Sequence, residues 1–590
     1  MQDPISFYKE RLQGFSILLK KNNERLQLIG FLRLMVFVIT TILTYFFFEN
    51  TITTLCIVVI GVVGFVFLIR MYESKKEEYR LHKELAAINE EELEIHRGDY
   101  LNRYDGKEYE EANHFYSSDV DLFGRGSFFQ YINRTGIHEG TQHLAQVLAS
   151  NNILGILERQ EAIKELSSKI EWRQNYTALA RMIKNDVTNV SIVAWLKGYV
   201  PFVSSYFKWV VPIFGIISTI LIFGSVFGHI NPQAAFYWLL LGLGITAARL
   251  KQVNTLSTKT GRIRKDLQQY AKLLSQIESE EFSASILKSQ RKSIESNGLL
   301  ASESFKKFSQ ALDALDNRNN LIVAFLGNGF FLWDLLCSRR IEKWVEAYRN
   351  EVEQWLKTVA FFDAFNSLGT FAFNHPTYNF PEILASDQLR INAKSLGHPL
   401  IPNKKRINSD LQLMRDDFFI ITGANMAGKS TFLRTISLYI IMANSGLPVC
   451  AERSQYNPIK LITSMRTEDS LTDNSSYFFA ELSRLQFVME QLQEDEYLVV
   501  LDEILKGTNS VDKASGSKEL IKKLTSMGVS GIIATHDLSL CELSKEHKTV
   551  KNYFFETEIV NDELHFDYML RKGICKNMNA SFLLRKMDII

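Results

Sequence analysis

Proline is scarce, ten residues in 590, so long helices meet few obligatory breaks. Cysteine is scarcer. Cys56, Cys337, Cys450, Cys541 and Cys575 are scattered with no CxxC pair. That disfavours a zinc ribbon or a disulfide framework and fits reduced thiols. Net charge is almost absent, since 67 Lys+Arg against 66 Asp+Glu leave +1. A globally basic nucleic-acid binder is not indicated, although a local basic face stays open. No internal repeat or low-complexity tract stands out beyond two apolar hairpins. What is present excludes a disordered chain: 46% hydrophobic residues, 23% charged and 41 Phe, many of them in a few apolar blocks. The length predicts roughly four domains.

Four charge-free apolar stretches follow from those blocks: Leu34 to Phe48, Thr51 to Ile69, Trp209 to Gly228 and Ile230 to Ala248. A spanning helix needs about 20 residues, within about 17 to 25. The last three qualify alone. The first qualifies if Arg33 snorkels and the span starts near Leu28. They pair as two hairpins, with turns at Glu49-Asn50 and around His229 to Gln233 that carry no Lys or Arg. Lys20, Lys21, Arg25, Arg70, Lys75 and Lys76 flank the first, and Lys208, Arg249 and Lys251 the second. The positive-inside rule then predicts a multi-pass protein of the inner (cytoplasmic) membrane, with its soluble parts in the cytoplasm. About 27 polar residues before the first stretch disfavour a cleavable signal peptide.

Between and after the hairpins the pattern is helical. Residues 71–118 are rich in Glu, Lys and Arg at helical spacing. Leu267, Tyr270, Leu273, Leu274 and Ile277 define one apolar helix face, whose expected role is packing. Asn374-His375-Pro376 and Phe380-Pro381 break the helices. From about 390, β-branched runs alternate with helices, which predicts an α/β domain with a parallel sheet.

The most specific pattern is Gly423-Ala424-Asn425-Met426-Ala427-Gly428-Lys429-Ser430-Thr431, a GxxxxGK[ST] loop. It follows an expected strand, Phe418 to Thr422, and precedes an expected helix, Phe432 to Asn444. Glycines there let backbone N–H groups turn inward around phosphates at a helix N-terminus. Lys429 would meet the β/γ-phosphates of ATP, and Ser430 would offer its hydroxyl to Mg²⁺. Tyr497 to Leu501 is an apolar strand that ends in Asp502-Glu503. Asp502 fits a Mg²⁺-holding carboxylate, and Glu503 is placed to polarise the attacking water. A further apolar strand from Gly531 ends in Thr535-His536, whose imidazole could reach a γ-phosphate oxygen or that water.

Together these residues resemble the ATPase domain of the MutS family of DNA mismatch-repair proteins. Thr422 to Thr431 is similar to the family's TGPNMGGKST loop, Asp502 to Asn509 to its DEIGRGTS segment, and Ala534-Thr535-His536 to its ATH switch. Ser476-Tyr-Phe-Phe-Ala-Glu481 is similar to the start of its signature helix. Upstream, Asp121 to Thr135 and Glu158-Arg159-Gln160 look like the beginning of its helical core; Asn374-His-Pro376 and Gly397-His398-Pro399 look like its lead-in to the ATPase.

The resemblance implies an ATP- and Mg²⁺-dependent homodimer with composite sites. Asn425 would contact nucleotide in its own chain, Ser476 would reach the γ-phosphate in the partner's site, and Gly507 to Asp512 would line the interface. The implied fold is α plus α/β: four transmembrane helices in two hairpins, a MutS-like core and lever, and a P-loop ABC-type ATPase with a mostly parallel sheet. The expected segments are 1–27 cytoplasmic, 28–70 first hairpin, 71–118 helical connector, 119–208 core, 209–248 second hairpin, 249–389 lever and core, and 390–590 ATPase.

Departures from the family bear on the ligand. Nothing before residue 119 resembles its mismatch-reading domain, and Phe47-Phe48-Glu49 falls at a hairpin turn. After Gly573 to Ile590 its helix-turn-helix element is short or missing. The aromatic that often stacks on adenine is not evident near Lys405 to Asn408. Lys251, Lys259, Arg262, Arg264 and Lys265 are either a membrane flank or phosphate contacts. The expected function is therefore a membrane-anchored MutS-type ATPase that binds mismatched or branched DNA in repair. The alternatives are an ABC-type transporter-like protein, against which the absent Leu-Ser-Gly-Gly-Gln-like loop counts, or a nucleotide-switched membrane scaffold with no DNA ligand.

Overall fold

The computed structural model describes every residue except 1–2, 184–188, 297–298, 386–387, 467–476, 561–562 and 576–590. Two very long helices open the chain, Pro4–Phe46 and Thr51–Arg97. Asp3 caps the first through the Ser6 N–H, and Asn50 caps the second through the Thr53 N–H. The second ends at Gly98, whose φ of 95° closes the helix in the left-handed region. The apolar stretches are thus embedded in helices that continue well outside them. No Gly or Pro interrupts residues 71 to 97, so the charged stretch prolongs the same helix.

Among the described residues, three helices are each long and apolar enough to cross a membrane: Pro4–Phe46, Thr51–Arg97 and Phe207–Val226. The fourth expected span is a bent pair of helices. The fourth stretch forms Pro232–Ala247, only 16 residues, and qualifies only jointly with Leu250–Gly261, from which it is bent by 64°. It ends where the first charge, Arg249, arrives, short of the usual spanning length.

The helical body is organised around Val352–Asn374. This helix is apolar on most sides and buried over most of its length, as a helix with no polar face must be. Against it pack His138–Ala149, Ile156–Ser168 and Ile170–Arg181. Leu250–Ser279 lies along Ala301–Asp316, and its stripe Leu267, Tyr270, Leu273, Leu274 and Ile277 is buried as its spacing predicts.

The C-terminal part is a six-stranded sheet with a smaller four-stranded sheet beside it. In chain order the larger sheet contains β1 (Phe418–Thr422), β2 (Lys460–Ser464), β3 (Tyr497–Asp502), β4 (Gly531–Ala534), β5 (Val550–Val560) and β6 (Glu563–Lys572). Their spatial order is β6-β5-β1-β4-β3-β2, parallel throughout except for the antiparallel edge strand β6. β1 is central and wholly buried, which its run FFIIT suits.

The body grips this sheet through polar contacts. Arg159 donates to Asn444 O, the last carbonyl of helix Lys429–Asn444, at 2.7 Å. Gln160 donates to Pro381 O, and Asp119 accepts from the Arg466 N–H at 2.7 Å.

Candidate nucleotide site

Strands β1, β4 and β3 are neighbours and run parallel, so their carboxyl ends lie side by side; Ala534 pairs with Ile421 on one side and Asp502 on the other. Three motifs far apart in the chain are thereby brought to one edge, where ligands of open α/β sheets bind.

After β1 the chain turns sharply. Gly428 has φ 104°, and a Cβ there would stand 3.1 Å from the Tyr568 ring. Met426 also adopts a left-handed φ, 67°, and is 82% exposed at the loop tip. The helix begins at Lys429, three residues earlier than the sequence pattern suggests, so its free N–H groups face into the loop.

Lys429 is buried and folds back along the loop. Its Nζ donates to Gly423 O at 2.9 Å and Ala424 O at 3.0 Å, and lies 3.1 Å from His536 Nε2. Burial lowers its pKa, against the opposing pull of Glu503 and Asp502. Ser430 donates to Asp502 Oδ2 at 2.6 Å. Burial raises the Asp502 pKa, while the Ser430 hydroxyl works the other way.

Glu503 directly follows β3 with φ 48°, a strained conformation for a side-chain-bearing residue, and this aims its carboxylate back across the strand ends. Its Oε1 lies 2.9 Å from His536 Nε2. That hydrogen bond holds the Glu503 carboxyl down at about 2. The same imidazole nitrogen is 2.7 Å from Asn425 Oδ1. Asn425, Lys429, Glu503 and His536 therefore converge on one point, with the Ser430–Asp502 pair beside it. Ser476 lies outside the described residues. Glu481, of the same motif, is buried and accepts from the Lys506 N–H at 3.3 Å.

A cavity of about 350 Å³ adjoins the loop at Gly428 and Thr431. Its walls include His398, Arg406, Ile407, Phe432, Phe555 and Tyr568. No aromatic stands between Lys405 and Asn408 in the sequence. Here Ile407 occupies that wall and the aromatics come from elsewhere, Tyr568 from edge strand β6 at φ 53°. No local signal marks Tyr568; only the β5–β6 hairpin folding back over the loop brings it there. A larger polar cleft of about 1100 Å³, with Lys394, Asp410 and Arg453 on its walls, holds none of the expected site residues.

Comparison with known proteins agrees with this geometry. Residues 419–583 match MutS domain V. What this chain shares with the MutS family is this domain. The matched range contains the loop, Asp502, Glu503 and His536. A 193-residue stretch is 32% identical to "MutS protein homolog 4" of Homo sapiens, covering 31% of this chain and 20% of that protein. Another, over 214 residues, is 32% identical to "DNA mismatch repair protein MSH4" of Arabidopsis thaliana, covering 36% and 27%. A third, over 185 residues, is 32% identical to "DNA mismatch repair protein MutS" of Aquifex pyrophilus, covering 30% and 21%. The chain thus spans between a fifth and a little over a quarter of these relatives.

Proposed function

We propose that this protein is a membrane-anchored, Mg²⁺-dependent ATPase of MutS type that works as a homodimer. The observation that carries the reading is the convergence of Asn425, Lys429, Glu503 and His536 beside the Ser430–Asp502 pair. The donor set fits the metal: a hydroxyl and a carboxylate 2.6 Å apart are hard oxygen ligands of the kind Mg²⁺ takes alongside phosphates. When bound there, the ion would neutralise charge on the phosphate oxygens.

Gly423 to Thr431 cradle the phosphates with backbone N–H groups, and Lys429 exchanges its carbonyl partners for phosphate oxygens. Glu503, ionised at neutral pH, orients the attacking water and takes its proton. His536 holds Glu503 in place and reaches the γ-phosphate side of the site. The cavity between Ile407 and Tyr568 receives the base. Ser476 of each protomer completes the other's site, by likeness to the family's signature serine, and Gly507 to Asp512 couple the two.

The two apolar hairpins anchor the protein in the inner membrane, with basic flanks and soluble parts on the cytoplasmic side. Two of the relatives' names attach to DNA mismatch repair, so the ligand proposed for the helical arms is mismatched or branched DNA. A second reading, a nucleotide-driven membrane scaffold without DNA, is favoured by one observation. Arg264, central to the basic run, is engaged by Asp313 and Asp316 rather than presented for phosphate.

The test is ATP turnover by the full-length protein in detergent, alone and with homoduplex, mismatched and junction DNA at two salt concentrations. Lys429→Ala abolishes ATP binding, and Glu503→Gln binds ATP but traps it. Normal turnover in either variant removes the site assignment. Stimulation or inhibition by DNA that weakens with salt supports the repair reading; turnover indifferent to every DNA leaves the scaffold.

A further inference from the structure

Between Arg318 and Asp334 the chain carries no charge and reads NNLIVAFLGNGFFLW. It is too short to span a membrane and sits within the helical region, so its pattern alone suggests core. The structure places it otherwise. It joins two helices that pack against each other, Ala301–Asp316 and Trp333–Tyr348, with the Trp344 and Phe308 rings stacked at 3.9 Å. The segment therefore goes out and returns at the tip of a helical pair. Its path is a wide π-helical turn, Val323–Gly327, then the short helix Asn328–Phe331, then Leu332 at φ 48°.

This tip packs on the second apolar hairpin; Leu332 turns into the core, while other apolar side chains of the tip face outward. Gly242 of the hairpin faces Gly329 so closely that a Cβ would stand 2.1 Å from Gly329 O. Ser218, fully buried in the hairpin helix Phe207–Val226, donates to Phe330 O and receives the Trp238 indole N–H at 2.8 Å. Asn328 is buried and accepts the Asp334 N–H. The polar atoms thus face protein, while Leu321, Ile322 and Phe325 are 85%, 68% and 51% exposed. Irregular backbone at membrane depth is tolerated in that arrangement.

We infer that residues 320–332 form a re-entrant element that enters the cytoplasmic leaflet beside the second hairpin, its outer face covered by lipid acyl chains. This rests on the membrane-anchored reading above. Continuity identifies the occupant. The hairpin helix that Ser218 ties to the segment exposes its own outward side chains, Ile213, Ile216, Ile220 and Phe223, in the same way. Depth agrees from both helices. At 1.5 Å per residue, Ser218 lies about 15 Å beyond Lys208 and Gly242 about 10 Å before Arg249, so the tip reaches about a third to a half of a hydrocarbon core. The Arg318–Asp334 ion pair, at 3.1 Å, closes the base of the segment at the leaflet surface. Movement of the helical pair would then be movement against the leaflet.

The test uses full-length protein with Cys56→Ser, since the other four cysteines are buried. A polarity-sensitive dye is attached at Phe325→Cys, at Ile220→Cys in the hairpin and at Lys288→Cys on an exposed soluble helix. Each is reconstituted in phosphatidylcholine vesicles brominated near the headgroup end or near the methyl end of the acyl chain. Phe325 should be quenched chiefly by the shallow bromines, Ile220 by the deeper ones, and Lys288 by neither. Quenching of Ile220 but not Phe325 overturns the inference while the membrane reading stands, and a dry but unquenched Phe325 dye would assign the face to a protein partner. No quenching at Ile220 removes the membrane reading and this inference with it. Leu321→Cys repeats the measurement if the Phe325 variant fails to fold.

Discussion

The two apolar hairpins join the rest of the molecule in opposite ways. The helices of the first run on unbroken into the body and are tied there by buried polar pairs. Glu92 holds Arg134, Asn374 donates to Glu92 at 2.8 Å, and Tyr8 donates to Asn374 at 2.7 Å. Glu91 adds a pair with Arg181 at 2.8 Å. Asn374 ends the central helix, just before the chain enters the sheet region. The second hairpin continues into Leu250–Ser279 only through a 64° bend. Its far contacts are with the 320–332 segment. Between the first hairpin's extension and Leu250–Ser279 lies a polar gap of about 640 Å³, with Glu73, Lys76, Arg80 and Gln269 on its walls. One hairpin is a fixed strut and the other a jointed arm; their anchoring chemistry, not their hydrophobicity, makes the difference.

The largest expected effect strikes the strut. Arg134 and Glu92 are almost fully buried, so Arg134→Ala leaves an unpaired buried carboxylate and costs about 3–5 kcal/mol. Thermal unfolding in detergent reads it. Arg264→Ala, which breaks half-exposed pairs on the arm side, should cost about 1 kcal/mol or less. Equal losses would abolish the distinction. Next comes the arm's own packing. Gly242→Ala places a methyl against Gly329 O and should cost about 1–3 kcal/mol. It should loosen 320–332, measured as faster proteolysis there, without raising cleavage near Asn374.

The candidate site was legible because each motif is a short unbroken word, and parallel strands deliver its last residue to a common edge. Phe418–Thr422, Tyr497–Asp502 and Gly531–Ala534 stand where their apolar runs predict. Tyr568 was hidden because a hairpin, not a motif, carries it to the loop. The 320–332 segment was hidden because its length fits a core helix and only its packing partner shows that it faces outward. The strut runs on past Arg70 although charge replaces apolar residues there, because nothing in the backbone stops the helix. The fourth stretch is long enough in composition, and the bend near Arg249, which no residue pattern announces, makes it a pair of helices rather than one straight span.

A smaller effect reports the strut's junction through pH. Tyr131 OH lies 2.9 Å from His375 Nε2, and His375 Nδ1 lies 2.8 Å from Phe371 O. A neutral ring serves both: Nδ1–H donates, and Nε2 accepts from the tyrosine. Burial, aided by the nearby Arg134 charge, lowers the His375 pKa from 6.5 to about 4. The unfolded chain therefore takes up a proton first. Stability held above pH 6.5 declines as pH falls and stops changing below about 4. Between pH 7 and 6 the loss is at most about 0.7 kcal/mol. His375→Gln should flatten that limb in an unfolding series; an unchanged slope would place the titration elsewhere.

The smallest effect decides whether strut and arm are coupled directly. Glu77 of the strut and Lys272 of the arm form an ion pair across the gap, with side chains 47% and 38% exposed. Such a pair is worth about 0–1 kcal/mol and weakens with salt. Lys272→Ala should therefore change stability by less than about 0.5 kcal/mol, and by still less at high salt. A larger loss would mean that the two hairpins behave as one rigid body. The predicted small loss leaves Ile170–Arg181, which packs on both the strut and Leu250–Ser279, as their common support. Displacement of the arm would then reach the strut through the body rather than across the gap.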